Sequence, residues 1–440
     1  MLKPRVVLAM VCVGLALSSA NLYAQSSQPT LLDSMYNLFV NNVVLAKTPA
    51  GVGVVAHEPV FANDPTVTSV TGLIQQVSQQ IGSQISIFPL GSSSGGFTYR
   101  YDPSLGTFSR TTQTFGPAFA ERAVTVGKGK LSVGMNYEHG NYTTLDGKDL
   151  ANGDIKFDLL HQHLNPRSFV EGDVVQAALQ MKLTSDTSVF YANYGLTNQL
   201  DVGLAVPLEH VNLDLTYHAT ILDFATKVVD PTRHLFGNGS KTQDFTSTGS
   251  ASGVGDVVIR AKYNFLKREA QGFAAGLDLR LPTGDDQNML GTGATNTQLF
   301  FIGSTARGNV SPHVNLGYTI SSGNTLVSDQ VNYVGGAEYA VTPKVTVVGD
   351  LVGRTLRDAL RLKDVPVPHS FQQGATAAIE TTTLQELATE SANLTTVLGT
   401  AGVKFNPWQN LLISVHVAFA LNDAGLRSRV TPVVGFDYSF

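Results

Sequence analysis

Val430, Pro432, Val434, Phe436, Tyr438 and Phe440 stand at strict period two at the end of the chain, and Gly435, Asp437 and Ser439 fall between them. A strand with one lipid-compatible face and one polar face, ending on Phe with aromatics two and four positions earlier, meets the needs of the closing strand of a membrane barrel. A soluble sandwich can end the same way, so the reading rests on the rest of the chain.

From about Lys130 onward, short turns alternate with long connections. Leu131, Val133, Met135 and Tyr137 alternate with Ser132, Gly134, Asn136 and Glu138, and a polar stretch from Gly140 to Asp173 follows. Val175 to Tyr194 and Leu200 to Tyr217 flank a tight turn at Leu196 to Gln199, with Ser185-Asp186 as a second place where the chain can turn; Ala219 to Gly253 reads as another long connection. Strands near Val257, Phe273, Leu299, Val314, Val331, Val345, Val397 and Leu411 then follow, with a further long connection from Asp358 to Asn393. The pattern predicts an all-β chain forming a transmembrane antiparallel β-barrel of about twelve strands. Fourteen is the alternative, if Phe97 to Arg110 adds a hairpin. Short turns belong to one end of the barrel and long loops to the other.

The first part of the chain lacks this rhythm. Lys3 and Arg5 precede an apolar run from Val6 to Leu17, and small residues lead to Ala24, so residues 1–24 read as a signal peptide cut after Ala24, with Ala20 as the alternative. Residues 25–116 form an N-terminal segment and residues 117–440 the barrel. Within that segment, Leu31 to Val44 is one predicted helix. Asp64-Pro65 opens a second, in which Val67, Val70, Ile74, Val77 and Ile81 recur at spacings of three and four. Gln75, Gln76, Gln79 and Gln80 occupy its other side instead of the Lys and Arg of a helix lying on a membrane, which favours a plug or hatch in the lumen.

Composition narrows the choice further. Among 440 residues there are 42 Gly and 14% charged residues, and no run after the signal reaches the roughly 18 apolar residues of a spanning helix. The net charge of −5 becomes −5 − 2 = −7 without Lys3 and Arg5, and no basic cluster points to nucleic acid. The single cysteine, Cys12, lies within the signal, which excludes disulfides, thiolate metal sites and a cysteine nucleophile from the mature chain. Gly91 to Gly95 matches G-x-S-x-G but lacks the strand before it and helix after it that a nucleophile elbow needs, so it reads as a linker. His161 and His163, and the carboxylates Asp256, Asp278, Asp285 and Asp286, lack metal-ligand spacing. No catalytic residue, metal or cofactor is expected, and the chain is not read as an enzyme.

Wall charges carry more information. Counting outward from a turn near Glu269 sets Arg260 opposite Asp278, with Lys262 on the same face and Arg280 one step away. Because Arg or Lys on the lipid side at mid-membrane costs about 2–4 kcal/mol, these residues, together with Lys182, are expected to line the lumen. They either brace the wall or tune a permeation path.

Five stretches carry a family resemblance. They are Gly95 to Tyr99, Phe115-Gly116-Pro117-Ala118-Phe119-Ala120-Glu121-Arg122, Asn193 to Asn198 with Leu200 to Pro207, Gly253 to Asp256 with Lys262-Tyr263, and Leu281 to Asp286. Together they resemble the outer-membrane barrels described as transporters linked to the meta-cleavage pathway of phenol degradation. The resemblance implies the outer membrane of a Gram-negative-type bacterium and passive or facilitated uptake of small organic, apolar or aromatic, compounds. The expected partners are outer-membrane lipid, the barrel-assembly machinery, for which Phe436, Tyr438 and Phe440 form the assembly signal, and the small permeant. A structural or adhesive barrel acting through its long loops is the first alternative, and a barrel hydrolase the second.

Overall fold

The computed structural model describes residues 29–42, 65–86, 96, 99–102, 107–110, 112–160, 172–228, 234–267, 271–408 and 410–440. The signal with Cys12, Asp64, the Gly91 to Gly95 stretch, His161, His163, Arg268 and Glu269 lie outside the described residues.

Twelve antiparallel strands make the wall: β1 (Leu131–Leu145), β2 (Val174–Gly195), β3 (Leu200–Leu222), β4 (Val258–Lys267), β5 (Gln271–Arg280), β6 (Thr295–Thr305), β7 (Val310–Ser322), β8 (Gln330–Thr342), β9 (Val345–Gln372), β10 (Ile379–Trp408), β11 (Leu411–Ala420) and β12 (Val430–Ser439). Each pairs with its chain neighbours and β12 pairs with β1, so the sheet closes on itself and the bilayer meets no open edge. The Phe440 amide donates to the Leu131 carbonyl at 2.8 Å, joining the two ends of the wall. Among the described residues Tyr99–Asp102 and Thr107–Arg110 pair with each other and not with the wall, which is why the count is twelve and not fourteen, and β2 runs unbroken through Ser185-Asp186.

At the short-turn end, apolar side chains point outward. Ile259, Tyr263, Phe265, Phe273, Leu299, Phe301, Val314, Leu316, Val403, Phe405, Val415, Val434 and Phe436 are exposed, whereas the alternate positions Lys262, Asn264, Asp278, Asn315, Lys404, Ser414 and Asp437 are buried inside. This is the arrangement of an outer-membrane barrel, apolar toward lipid and polar toward the lumen. Tyr194, Tyr263, Phe265, Tyr339, Phe405, Trp408 and Tyr438, all near the short turns, form an exposed aromatic girdle at that rim.

Crossing takes about 9–11 residues, yet β2 has 22, β3 23, β9 28 and β10 30. The excess rises beyond the lipid as a β extension, to which Thr242–Val254 adds on β3 and Ile155–Leu160 on β2. The stretches read from sequence as long connections are therefore largely strand. They were missed because a strand standing in water has no lipid-facing apolar set: Thr242–Val254 is mostly Ser, Thr and Gly. Pro366 and Pro368 add to the concealment, but there β9 has β10 as its partner and an edge strand tolerates proline.

Along β2 and β3 the alternation inverts where the strands leave the lipid. Lower inward positions are polar (Ser185, Thr187, Asn193, Asp201, Glu209), and upper ones are apolar (Val175, Leu179, Met181, Leu183, Val211, Leu213, Leu215, Tyr217). Lys182 consequently stands on the exposed outer face opposite Asp214, not in the lumen.

Helices α1 (Leu31–Asn42) and α2 (Pro65–Ser86) fill the mouth of this extension. Ile74, Val77, Ile81 and Ile85 of α2 bury against Leu31, Met35 and Leu38 of α1 and the apolar upper wall, each contributing up to roughly 1.5–3 kcal/mol. Val67 and Val70 lie on the same helix, with only their backbone described. The glutamine side docks as well: Gln76 accepts from Thr389, Gln79 donates to the Thr292 carbonyl, Gln80 donates to Asp146 and Gln84 accepts from the Leu426 amide. The amphipathic helix thus closes the outer mouth, because that is where the wall presents an apolar interior.

A buried clasp ties the outer loops. Asp173 accepts from the Ala225 and Thr226 amides, the Thr226 hydroxyl and, at 2.6 Å, His234 Nδ1. Burial pushes its carboxyl upward, but hydrogen bonds from His234 and Thr226 outweigh this and hold it below the usual aspartate range. A lowered folded pKa means that the clasp is at full strength above the ordinary value of about 3.9 and is lost as pH falls through the lower folded value. Hydrogen exchange at Ala225 and Thr226 should stay slow from neutrality to about pH 4, and Asp173→Asn should speed it at every pH.

Candidate functional site

The wall begins at Leu131, and residues 112–130 before it run inside the barrel. Residues 112–130 cross the lower lumen as an irregular strap whose backbone groups bind inward side chains of the wall. Phe115 N donates to Thr346 at 3.2 Å, Ala118 N and Phe119 N to Asp350 at 3.0 and 3.1 Å, Ala123 N to Ser304 at 3.0 Å, and Val126 N to Asp201 at 3.0 Å. Asn315 both accepts from Glu121 N and donates to Glu121 O, while Lys404 and Asn264 donate to the carbonyls of Pro117 and Ala123. Such a segment can be buried only because the wall meets its amides and carbonyls one by one. Gly116, at φ +86°, is needed for the bend: a Cβ there would lie 2.7 Å from Arg122 Nη2.

Charges pin the strap further. Glu121 reaches Arg260 Nη1 at 2.5 Å and Lys262 Nζ at 3.1 Å, and Arg122 lies 3.8 Å from Glu338. Arg260 in turn grips Asp278 with two parallel bonds of 2.6 and 2.5 Å, the fork geometry that suits a guanidinium to a carboxylate. His313 bridges Asp350 at 2.8 Å and Glu338 at 3.3 Å. Arg260, Lys262, Asp278 and Arg280 all point inward; Arg280 donates to the Ser86 carbonyl at the end of α2. A double-mutant cycle on Arg260→Ala and Asp278→Ala should show coupling of about 1–3 kcal/mol in barrel stability. Glu121 limits it by keeping Arg260 partly compensated when Asp278 is lost. Additive effects would mean that the fork contributes nothing.

Sequence reasoning reached the Arg260–Asp278 pair of the β4 and β5 hairpin but not the other charges of the lumen. Asp201, Glu338, Asp350 and Lys404 sit on strands whose inward polar positions are legible from alternation. Glu121 and Arg122 lie in a stretch with no periodicity, and only the family-like run Phe115 to Arg122 marked it. Of the carboxylates considered as cation ligands, Asp278 is held by Arg260, Asp256 accepts from Gly284 and Thr292 amides, and Asp285 caps the short turn Asp286–Asn288.

Between strap and helices lies a cavity of about 200 Å³. Phe119, Val258, Phe300, Val334, Val352 and Leu398 supply its apolar lining, and Arg260, Arg280, Arg354 and Arg427 its cations. Phe300 lies under Arg260, 5.4 Å from ring centre to guanidinium carbon.

The family described as "Putative MetA-pathway of phenol degradation" matches residues 165–364. Among solved structures the chain is similar to an outer membrane channel from Pseudomonas putida F1, at 13% identity over 72% of this chain and 98% of that one, with a TM-score of 0.43. It is also similar to the toluene transporter TbuX of Ralstonia pickettii, at 16% identity over 81% and 100% of the two chains, TM-score 0.30, and to a FadL homologue of Pseudomonas aeruginosa, at 10% over 82% and 97%, TM-score 0.31. No curated protein matches it. With its closed wall and lipid-facing apolar surface the chain is an outer-membrane β-barrel, and its residues 165–364 are similar to the family linked to phenol degradation.

Proposed function

We propose that this outer-membrane channel admits small organic compounds, single-ring aromatics above all, and not bulk hydrophilic solutes. The observation that carries the reading is the occluded lumen: a strap below, helices above, and between them a cavity of about 200 Å³. An enclosed apolar space of about 150 Å³ is enough to hold benzene, so a one-ring compound fits this one, whereas an open water column of the kind in wider barrels has no room. The match to a family named for phenol degradation supports the same substrate class. Passage requires the strap to shift, since its polar contacts span the lower lumen. Cells carrying the protein should take up phenol or toluene faster than cells lacking it, with little gain for sugars. Equal gains for sugars and aromatics would indicate a general diffusion pore, and no gain for either would leave a structural barrel.

A further inference from the structure

Phe300 on β6 has glycine on either side in the same cross-strand row: it pairs with Gly276 on β5 and with Gly317 on β7. All three positions are buried and face the lumen. Directly opposed side chains on one sheet face have Cβ atoms about 4.5–5.5 Å apart, so a ring with a side chain on both neighbours stands away from the wall. With glycine on both it can fold flat. The Phe300 ring lies over Gly276, where an ideal Cβ would collide with its Cζ and both Cε atoms, and a Cβ at Gly317 would come within 2.7 Å of Phe300 Cβ. Glycine inside a strand weakens it and marks a close approach of another group, and here two strands accept it beside one ring.

A second contact holds the ring down. Arg260 sits over its face, 5.4 Å from the ring centre and within the range of a cation–π interaction. The guanidinium is itself fixed by its fork to Asp278 and its bond to Glu121 of the strap. Phe300 and Gly317 line the cavity of about 200 Å³, with Gly276 beneath the ring. On this side of the lumen an occupant therefore meets the face of Phe300. A ring standing off the wall would instead take a benzene-sized share of the same space.

We infer that Phe300, folded back on Gly276 and clamped by Arg260, is the specificity-determining residue of the mid-lumen cavity, its ring setting the clearance and offering the face against which a one-ring compound lies. The inference deepens the proposed uptake of single-ring aromatics and rests on that reading for its physiological sense, but binding to the purified protein tests it without transport.

Calorimetry on the full-length protein in detergent, with phenol and 1-naphthol as probes, reads the clearance. Phe300→Ala, which removes the ring and adds nothing, should raise the affinity for 1-naphthol relative to phenol at least tenfold. Gly276→Ala should push the ring into the cavity and weaken phenol binding at least tenfold. Gly276→Ala/Phe300→Ala should bind both probes as Phe300→Ala does, because the obstacle is gone. If Phe300 only packs the wall, the double variant binds phenol no better than Gly276→Ala. Heat-modifiable migration on unboiled gels confirms folding, and should Gly276→Ala fail to fold, Phe300→Ala and the double variant decide. An unchanged ratio of the two affinities in Phe300→Ala, parental phenol binding in folded Gly276→Ala, or no phenol binding by the parent would overturn the inference. Phenol uptake by cells decides the channel reading separately: binding that follows the predicted order without uptake would keep the site and remove the channel.

Discussion

Unpinning the strap should open the barrel. In Glu121→Ala/Arg122→Ala the wall keeps its own compensation, because Arg260 retains its fork to Asp278 and Lys262 stays 3.8 Å from Asp201, while the strap loses its contacts to Arg260, Lys262 and Glu338. Losing about 3 kcal/mol of charge-assisted docking shifts the ratio of open to closed strap roughly 100-fold. Single-channel recordings of the double variant should therefore show frequent openings of much larger conductance than the parent. Deleting residues 29–86 removes α1 and α2 but leaves the strap in place, so the lower lumen should still limit current. If the helix deletion raises conductance and the strap variant does not, the constriction lies at the outer mouth.

The second large effect is on assembly. Phe436, Tyr438 and Phe440 face outward at the strand that closes the sheet, the rings of Tyr438 and Phe440 meet at 4.7 Å, and the Phe440 amide joins β12 to Leu131. Serine at all three positions removes roughly 1.5–3 kcal/mol of apolar transfer per side chain at the seam. It also removes the terminal aromatics that the account assigns to recognition by the assembly machinery. The variant should lose the heat-modifiable folded band almost entirely. Normal migration would show that β12 closes the wall without them.

The features readable from sequence are those that lipid imposes. Alternation is sharp in Val430 to Phe440, in Leu411 to Ala420 and in the β4 and β5 hairpin, because one face of each meets hydrocarbon, and counting across that hairpin sets Arg260 against Asp278 as observed. Outside the bilayer the constraint disappears. Thr242–Val254 has no apolar stripe to reveal it, and in β2 the reversal of faces turns Lys182 outward. Helix α2 was legible because burial against the upper wall and α1 demands a helical period of apolar residues. The strap was not, since nothing periodic is required of an extended segment satisfied by side chains of other strands. Its partners Asp350, Asn315 and Asp201 read simply as inward polar positions, and only the fold shows what they hold.

The claim that residues 112–130 occupy the lumen is tested most directly by a covalent tether. A Cβ at Gly272 on β5 would lie 3.0 Å from the Ala123 Cβ, close to the separation of about 3.5–4.5 Å that a disulfide spans. The natural sequence offers one cysteine, Cys12, in the segment read as an export signal. Ala123→Cys/Gly272→Cys should oxidise in the outer membrane to a single internal disulfide, seen as loss of maleimide labelling and as a tryptic cross-link between the strap and β5 that reductant releases. Two thiols that stay reduced under oxidant and label fully in the folded barrel would place the strap outside the lumen and contradict the account.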